Sequence, residues 1–153
     1  MLKQYKQFML ESNRIEGEDR INPGDIEAVE YILGTKHICC ECLIQLHSIL
    51  GKYLNKDWVG VFRKVNVTVG EFQPINYSQI QLAMEEYAEE LPYLTSWTAH
   101  NKFEKIHPFQ DLNGRVGRLI WLSKAYHNEG YKFSIPFLQA YYYQTLKIYD
   151  PRK

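Results

Sequence analysis

Residues 106–118, IHPFQDLNGRVGR, bring one histidine, one aspartate, one asparagine, two glycines and two arginines together in a single short stretch. An imidazole, with an ordinary pKa of about 6.5, can take a proton from an attacking hydroxyl near neutral pH, which makes His107 a candidate general base. The carboxylate of Asp111 offers hard oxygens suited to Mg²⁺ bridging phosphates. Arg115 and Arg118 stand three apart, so on a helix they project from neighbouring positions, and the forked guanidinium matches phosphate oxygens. If that helix starts at Asn113 or Gly114, its unpaired first-turn N–H groups and the positive end of its dipole add an anion cradle. Gly114 and Gly117 would let a ligand approach the backbone closely. Taken singly, each residue has a duller explanation: a turn histidine before proline, an aspartate cap, a solvated arginine face. Their concentration favours a phosphate-handling or nucleotide-handling site.

The elements that must hold this loop are mostly helical. Leu2, Tyr5 and Met9 follow helical spacing up to a break near Gly17. In INPGDIEAVEYILG, Asn22 is the expected cap, Ile26, Val29 and Leu33 form one stripe, and Gly34 is the stop. A third helix is expected from about Thr35, through Leu43, Leu46 and Leu50, to Gly51. The period then changes to two: Val61, Arg63, Val65, Val67 and Val69 alternate with Phe62, Lys64, Asn66 and Thr68, which predicts a two-stranded hairpin leaning on the helices. Helical spacing resumes at Ile80, Met84, Tyr87 and Leu91, and again at Ala99, Phe103 and Ile106. Beyond the polar loop, Val116, Leu119, Ile120, Ser123 and Tyr126 carry another helix to Gly130, and a last one is expected from about Pro136, capped near Ser134. The expected fold is an all-α orthogonal bundle with a small β-hairpin, in one domain spanning residues 1–153.

Composition limits what such a site can serve. At 153 residues the chain is the size of one ordinary domain, and 45% hydrophobic against 24% charged residues argues against disorder. The formal net charge is zero, so no global field attracts a polyanion; nucleic acid is disfavoured as a partner and phosphate binding must be local. No apolar run approaches the roughly 18 residues that span a bilayer, and the N-terminus lacks a cleavage pattern; a soluble, cytoplasmic protein without membrane partners is expected. All three cysteines fall in HICCECL. Cys39 and Cys42 form a CxxC, but zinc would need two further ligands, with His37 or His47 reaching round one helix, so packing is preferred over metal or redox use.

The string HPFQDLNGRVGR closely resembles the Fic family signature HPFx(D/E)GNGRxxR, matching every defined position except one. The resemblance extends through LHSIL, the hairpin GVFRKVNVTVGEFQP and AHNKFEKIHPF. It implies a Fic-like helical bundle in which residues 107–118 are the motif and residues 58–72 a substrate flap. It further implies transfer of AMP from ATP to a Ser, Thr or Tyr hydroxyl of a protein, with release of pyrophosphate. By that resemblance His107 is the general base, Phe109 anchors the loop and Asp111 binds Mg²⁺. Asn113, the backbone at Gly114, and Arg115 hold the α- and β-phosphates, while Arg118 engages the γ-phosphate. Val65, Asn66, Val67, Thr68 and Val69 would dock the target by strand pairing. The departure is Leu112, where the family has glycine or another small residue; at φ > 0 a leucine costs about 1 to 2 kcal/mol and would tilt the phosphate cradle.

A second string, SNRIEG at residues 12–17, resembles the family's inhibitory pattern (S/T)xxxE(G/N) without deviation. Ser12, Glu16 and Gly17 are then the inhibitory residues, within a helix and motif covering residues 1–17, and Glu16 would occupy Arg118 in place of the γ-phosphate. The rivals to autoinhibited AMP transfer are removal of AMP by a water that Glu16 orients, kinase-like phosphate transfer, and a catalytically silent binding module. A homo-oligomer is compatible with the sequence. The tyrosines at 141–143 resemble a region that some members place near the base, and packing explains them equally well.

Overall fold

The computed structural model describes residues 1–132. The helix expected from Pro136, its cap at Ser134 and the tyrosines at 141–143 lie outside the described residues. Within them the chain forms α1 (Leu2–Ile15), α2 (Asp25–Gly34), α3 (Cys40–Gly51), α4 (Ile80–Glu90), α5 (Ser96–Ile106) and α6 (Asn113–Asn128), with single 3₁₀ turns at Tyr77–Gln79 and Leu91–Tyr93. No helix among the described residues is long and apolar enough to cross a membrane.

α6 is the central element. Val116, Leu119, Ile120, Leu122 and Ala125 point to different sides of it and are all buried, so it is enclosed all round instead of presenting one apolar stripe. It packs mainly on α5 and on α2, and α1 lies against both α2 and α6. The core is completed by Phe8 and Met9 from α1, Ile32 from α2, Leu43 and Leu46 from α3, Met84 from α4 and Phe103 from α5. A central helix has no solvated face near its middle, which dictates the burial of Arg118 within the bundle.

Helix starts depart from expectation where side chains do local work. Asn22 does not cap α2; Gly24 takes that position, and the backbone N–H of Asn22 donates instead to Asp25 Oδ2 at 2.7 Å. α3 begins at Cys40, later than Thr35, because residues 35–39 form the approach to a cysteine cap in which Cys39 Sγ accepts the N–H of Cys42 at 3.3 Å. The Cys39 and Cys42 sulfurs lie 2.7 Å apart, Cys40 is buried, and among the described residues no cluster of three or more His, Cys, Asp or Glu could hold a metal.

The hairpin contracts to very little. Among the described residues the alternating segment and its return strand share one isolated antiparallel bridge, Val69 with Phe72, closed through Gly70 at φ +60°. The pairing groups are taken by side chains. Buried Arg63 donates to Val65 O at 2.8 Å and Ile75 O at 2.6 Å, and Asn66 Oδ1 accepts the N–H of Tyr77 at 3.0 Å. Side-chain bonds thus cross-link the two arms of the segment where a ladder was expected. Val65, Asn66, Thr68 and Val69 are exposed and Val67 is half-buried.

Candidate functional site

The polar loop is bounded by two residues in the left-handed region. α5 ends on His107 at φ 49°, whose N–H still donates to Phe103 O, and α6 begins after Leu112 at φ 65°. Neither is glycine, so both sites store strain of about 1 to 2 kcal/mol. The interior of the turn offsets it. Asn113 places its side chain back across the loop, accepting from Phe109 N at 2.9 Å and donating to Phe109 O at 2.8 Å. Phe109 itself is fully buried and stacked on His47, ring centroids 3.8 Å apart and 8° from parallel. Asn113, expected among the phosphate-holding residues, closes the loop with one bond at each end of its amide and keeps one amide hydrogen beyond these two bonds.

His47 ties α3 to this turn on both ring nitrogens. Its Nδ1 accepts the N–H of Gly60 at 2.9 Å, which leaves Nε2 to donate to Asp111 O at 3.1 Å. Burial pushes its pKa down to about 4, so the ring is neutral and a fixed tautomer. Arg63 supports the other side: its N–H meets Pro108 O at 2.9 Å and its Nε donates to His107 O at 2.8 Å. The base of the exposed segment at 58–72 is therefore bonded to the backbone of the motif itself.

α6 starts without a side-chain cap. Over its first turn lies the carboxylate of Glu16: a Cβ added to Gly114 would come within 2.5 Å of Glu16 Oε1 and 2.9 Å of Arg118 Nη1. Only glycine admits this approach. Arg118, 1% exposed, donates to Glu16 Oε1 at 2.5 Å, to Ser12 Oγ at 2.7 Å and to Ser12 O at 3.1 Å. The turn that delivers Glu16 follows from its sequence. Gly17 at φ +80° closes α1 with N–H bonds from Gly17 to Arg14 O and from Glu18 to Asn13 O, the paired pattern of a Schellman end.

That same turn carries a second carboxylate. Glu18 Oε1 meets Arg115 Nη2 at 3.0 Å, while Asn22 Nδ2 donates to Glu18 Oε2 at 2.8 Å. The Asn22 bond, with Arg115 and Arg20, holds the Glu18 carboxyl below its ordinary range despite partial burial. Two acids from one helix end thus sit on two arginines of one helix start. Asn13 braces the turn through bonds to Arg20 O at 2.8 Å and Asp25 Oδ2 at 2.7 Å.

His107, Asp111, Asn113, Gly114, Arg115 and Glu16 line one concavity of about 130 Å³. Ordinary small-molecule sites run from roughly 300 to 1,000 Å³, so this space, with Glu16 in its wall, is smaller than a usual ligand site. Asp111 is exposed, and its Oδ1 accepts the N–H of Leu112 at 2.6 Å. One carboxylate beside a prospective phosphate cradle fits Mg²⁺, which usually takes one or two protein carboxylates plus substrate phosphates and waters. It does not fit a metal that demands a full protein cage.

Several residues of this site escape sequence reasoning. Glu18 has no periodic signal, and only the Schellman turn reveals its partner. In the sequence His47 is weighed only as a further zinc ligand, and Arg63 only as one member of the valine set in an alternating strand. Glu104 and Gly117 meet between α5 and α6: a Cβ on Gly117 would lie 2.6 Å from Glu104 Oε1 and 2.8 Å from His100 Nδ1. The AHNKFEKIHPF string contained the spacing, Glu104 three residues before His107, that would have flagged the pair.

Comparison with solved structures gives the fold a context. A Fic domain containing signaling protein from Bacteroides thetaiotaomicron superposes with a TM-score of 0.76 at 20% identity, covering 95% of this chain and 70% of that one. Fic-1 from C. elegans gives 0.74 at 20% identity, covering 98% and 57%. A Fic family protein from Desulfovibrio desulfuricans gives 0.55 at 21%, covering 78% and 46%. The chain thus spans little more than half of the C. elegans chain and under half of the Desulfovibrio one. These likenesses establish the helical fold, and a sequence model of the Fic/DOC family independently matches residues 37–122, from the approach to α3 through the motif and most of α6. With more than half of its length matched and the whole motif loop inside the match, this chain belongs to the Fic/DOC family.

Proposed function

We propose that this chain is an autoinhibited protein adenylyltransferase that moves AMP from Mg²⁺-bound ATP to a Ser, Thr or Tyr hydroxyl of a target protein. Family membership makes AMP transfer the leading chemistry, and the arrangement of the loop suits it. The α- and β-phosphates would meet the backbone N–H groups at Gly114 and the guanidinium of Arg115, with the γ-phosphate on Arg118. Asp111 is the group placed to hold Mg²⁺, which when bound would neutralise phosphate charge. His107 takes the proton of the target hydroxyl as its oxygen forms a bond to the α-phosphorus. The bond from that phosphorus to the bridging oxygen breaks, and pyrophosphate leaves. The exposed segment around Val65 to Val69, tethered to the motif through Arg63, is the surface on which the target backbone would lie.

The single observation that carries this reading is the Glu16 carboxylate lying over Gly114 and bonded to Arg118. An anion already occupies the place that the chemistry of the loop assigns to phosphate, and it comes from the inhibitory string. The plug is two acids wide, since Glu18 holds Arg115 in the same way. The test is labelling of a protein lysate by the Glu16→Gly protein with ATP carrying label in either the α- or the γ-phosphate. His107-dependent transfer of α-label alone supports the proposal. Transfer of γ-label would replace it with phosphate transfer, and the absence of both labels would leave AMP removal or a binding module.

A further inference from the structure

The imidazole of His107 must keep one nitrogen free of hydrogen to act as a base, and its neutral ring can carry the proton on either side. Its Nδ1 is buried and has no hydrogen-bond partner among the described residues. Facing it at 3.7 Å is Glu104 Oε2, one turn earlier on α5. The same carboxylate's Oε1 is likewise buried without a hydrogen bond. A carboxylate oxygen buried without a hydrogen bond is costly, and a structural role alone would favour an apolar residue there. The bundle nevertheless makes room for it, since any side chain at position 117 would collide with Oε1.

Burial works against the charged form of Glu104, yet His107, His100 and Arg118 together hold its carboxyl below the usual range. The charged groups around the imidazole are Glu104 and His100 on α5, Arg115 and Arg118 on α6, Asp111 in the loop, and Glu16 at the end of α1. Among the described residues, Glu104 is the carboxylate that lies within 4 Å of the buried nitrogen.

We infer that Glu104 is the positioning residue of the general base. It accepts the Nδ1 hydrogen of His107, so that Nε2 presents its lone pair to the cavity, and it stabilises the imidazolium formed when Nε2 takes the hydroxyl proton. The inference rests on the AMP-transfer reading for its catalytic consequence, though not for the tautomer itself. A separation of 3.7 Å is long for a hydrogen bond, and such contacts commonly shorten once substrate is bound. The balance is simple: one proton moves from the target hydroxyl to Nε2, Nδ1 keeps its own, and Glu104 stays ionised.

The experiment uses the full chain in the Glu16→Gly background, alone and combined with Glu104→Gln or Glu104→Leu. Histidine is labelled with ¹⁵N, and the His107 ring signals are identified by their loss in His107→Ala. Long-range ¹H–¹⁵N spectra at about pH 8, where ordinary imidazoles are neutral, report the tautomer. The hydrogen should sit on Nδ1 with Glu104 present and in Glu104→Gln, whose carbonyl still accepts it, and move to Nε2 in Glu104→Leu. Transfer kcat should fall on the order of tenfold or more in Glu104→Leu and by less in Glu104→Gln. The Kd for Mg²⁺·ATP should change by less than kcat does, because no side chain assigned to the phosphates is replaced. A hydrogen on Nε2 with Glu104 present would overturn the inference, as would an unchanged kcat in both variants. Should Glu104→Leu fail to fold, the nearly isosteric Glu104→Gln still decides through its kcat. Absence of transfer in every protein would sink the functional reading, while the tautomer would still decide what Glu104 does.

Discussion

Replacing Glu16 by glycine removes one carboxylate from a cation that stays in place. The bond lost is charge-assisted and 2.5 Å long, from a guanidinium 1% exposed to a carboxylate 35% exposed. Bonds of this kind contribute about 1.5 to 3 kcal/mol, and with a third of the carboxylate in water the lower half of that range applies. A ligand phosphate that no longer has to displace this bond gains about 1.5 to 2 kcal/mol, which is roughly ten- to thirtyfold in Kd. The fold should survive, because Arg118 keeps its bonds to Ser12 Oγ and Ser12 O, and Gly17 still closes α1. Calorimetric titration with Mg²⁺·ATP measures the affinity, and thermal unfolding verifies the fold. An unchanged Kd in a folded Glu16→Gly protein would mean that the acid does not obstruct the nucleotide, and the competitive logic of the plug would be wrong. Tighter binding without His107-dependent product would locate the failure in the chemistry instead.

Adding Glu18→Gln to Glu16→Gly should tighten Mg²⁺·ATP by a further threefold or so, as a rough half of a charge-assisted bond, because Arg115 is also released; titration of the double variant measures it. Leu112→Gly relieves about 1 to 2 kcal/mol of left-handed strain but gives up a buried leucine worth about 2 to 5 kcal/mol. Denaturant unfolding should therefore show a net loss, and a gain would mean that the side chain does not anchor the loop. His47 is held near a pKa of about 4, against about 6.5 when unfolded. Between those values the unfolded chain binds a proton that the folded chain refuses, so stability falls as pH drops from about 6.5 to 4, by about 3 kcal/mol at most. Urea unfolding across that range should show the slope in wild type and a weaker one in His47→Gln.

How much of this could be read in the chain follows from the range of the interactions involved. α5 and α6 were legible because apolar residues recur at helical spacing over two to three turns, and the polar loop because its residue types are adjacent in sequence. The hairpin was not, because period-two alternation records only which residues can be extended. Whether extended arms pair depends on what else can bond their backbone, and here Arg63 and Asn66 do so. Asn113 shows the same limit: residue type alone does not record that its side chain bonds both the N–H and the carbonyl of Phe109, which the fold of the loop brings to it.

The sequence by itself determined the chemical inventory: an imidazole, a carboxylate and two guanidiniums in one loop, an acid before glycine at a helix end, and a neutral chain without a basic face. Those are properties of residue type and local spacing, which need no fold. Glu16 with Arg118, 102 residues apart, was expected only through the family resemblance, and the tertiary structure alone supplied Glu18 with Arg115, 97 residues apart. Those contacts exist because the enclosed α6 aims its first turn at the Schellman end of α1, and no local pattern records which helix ends will meet.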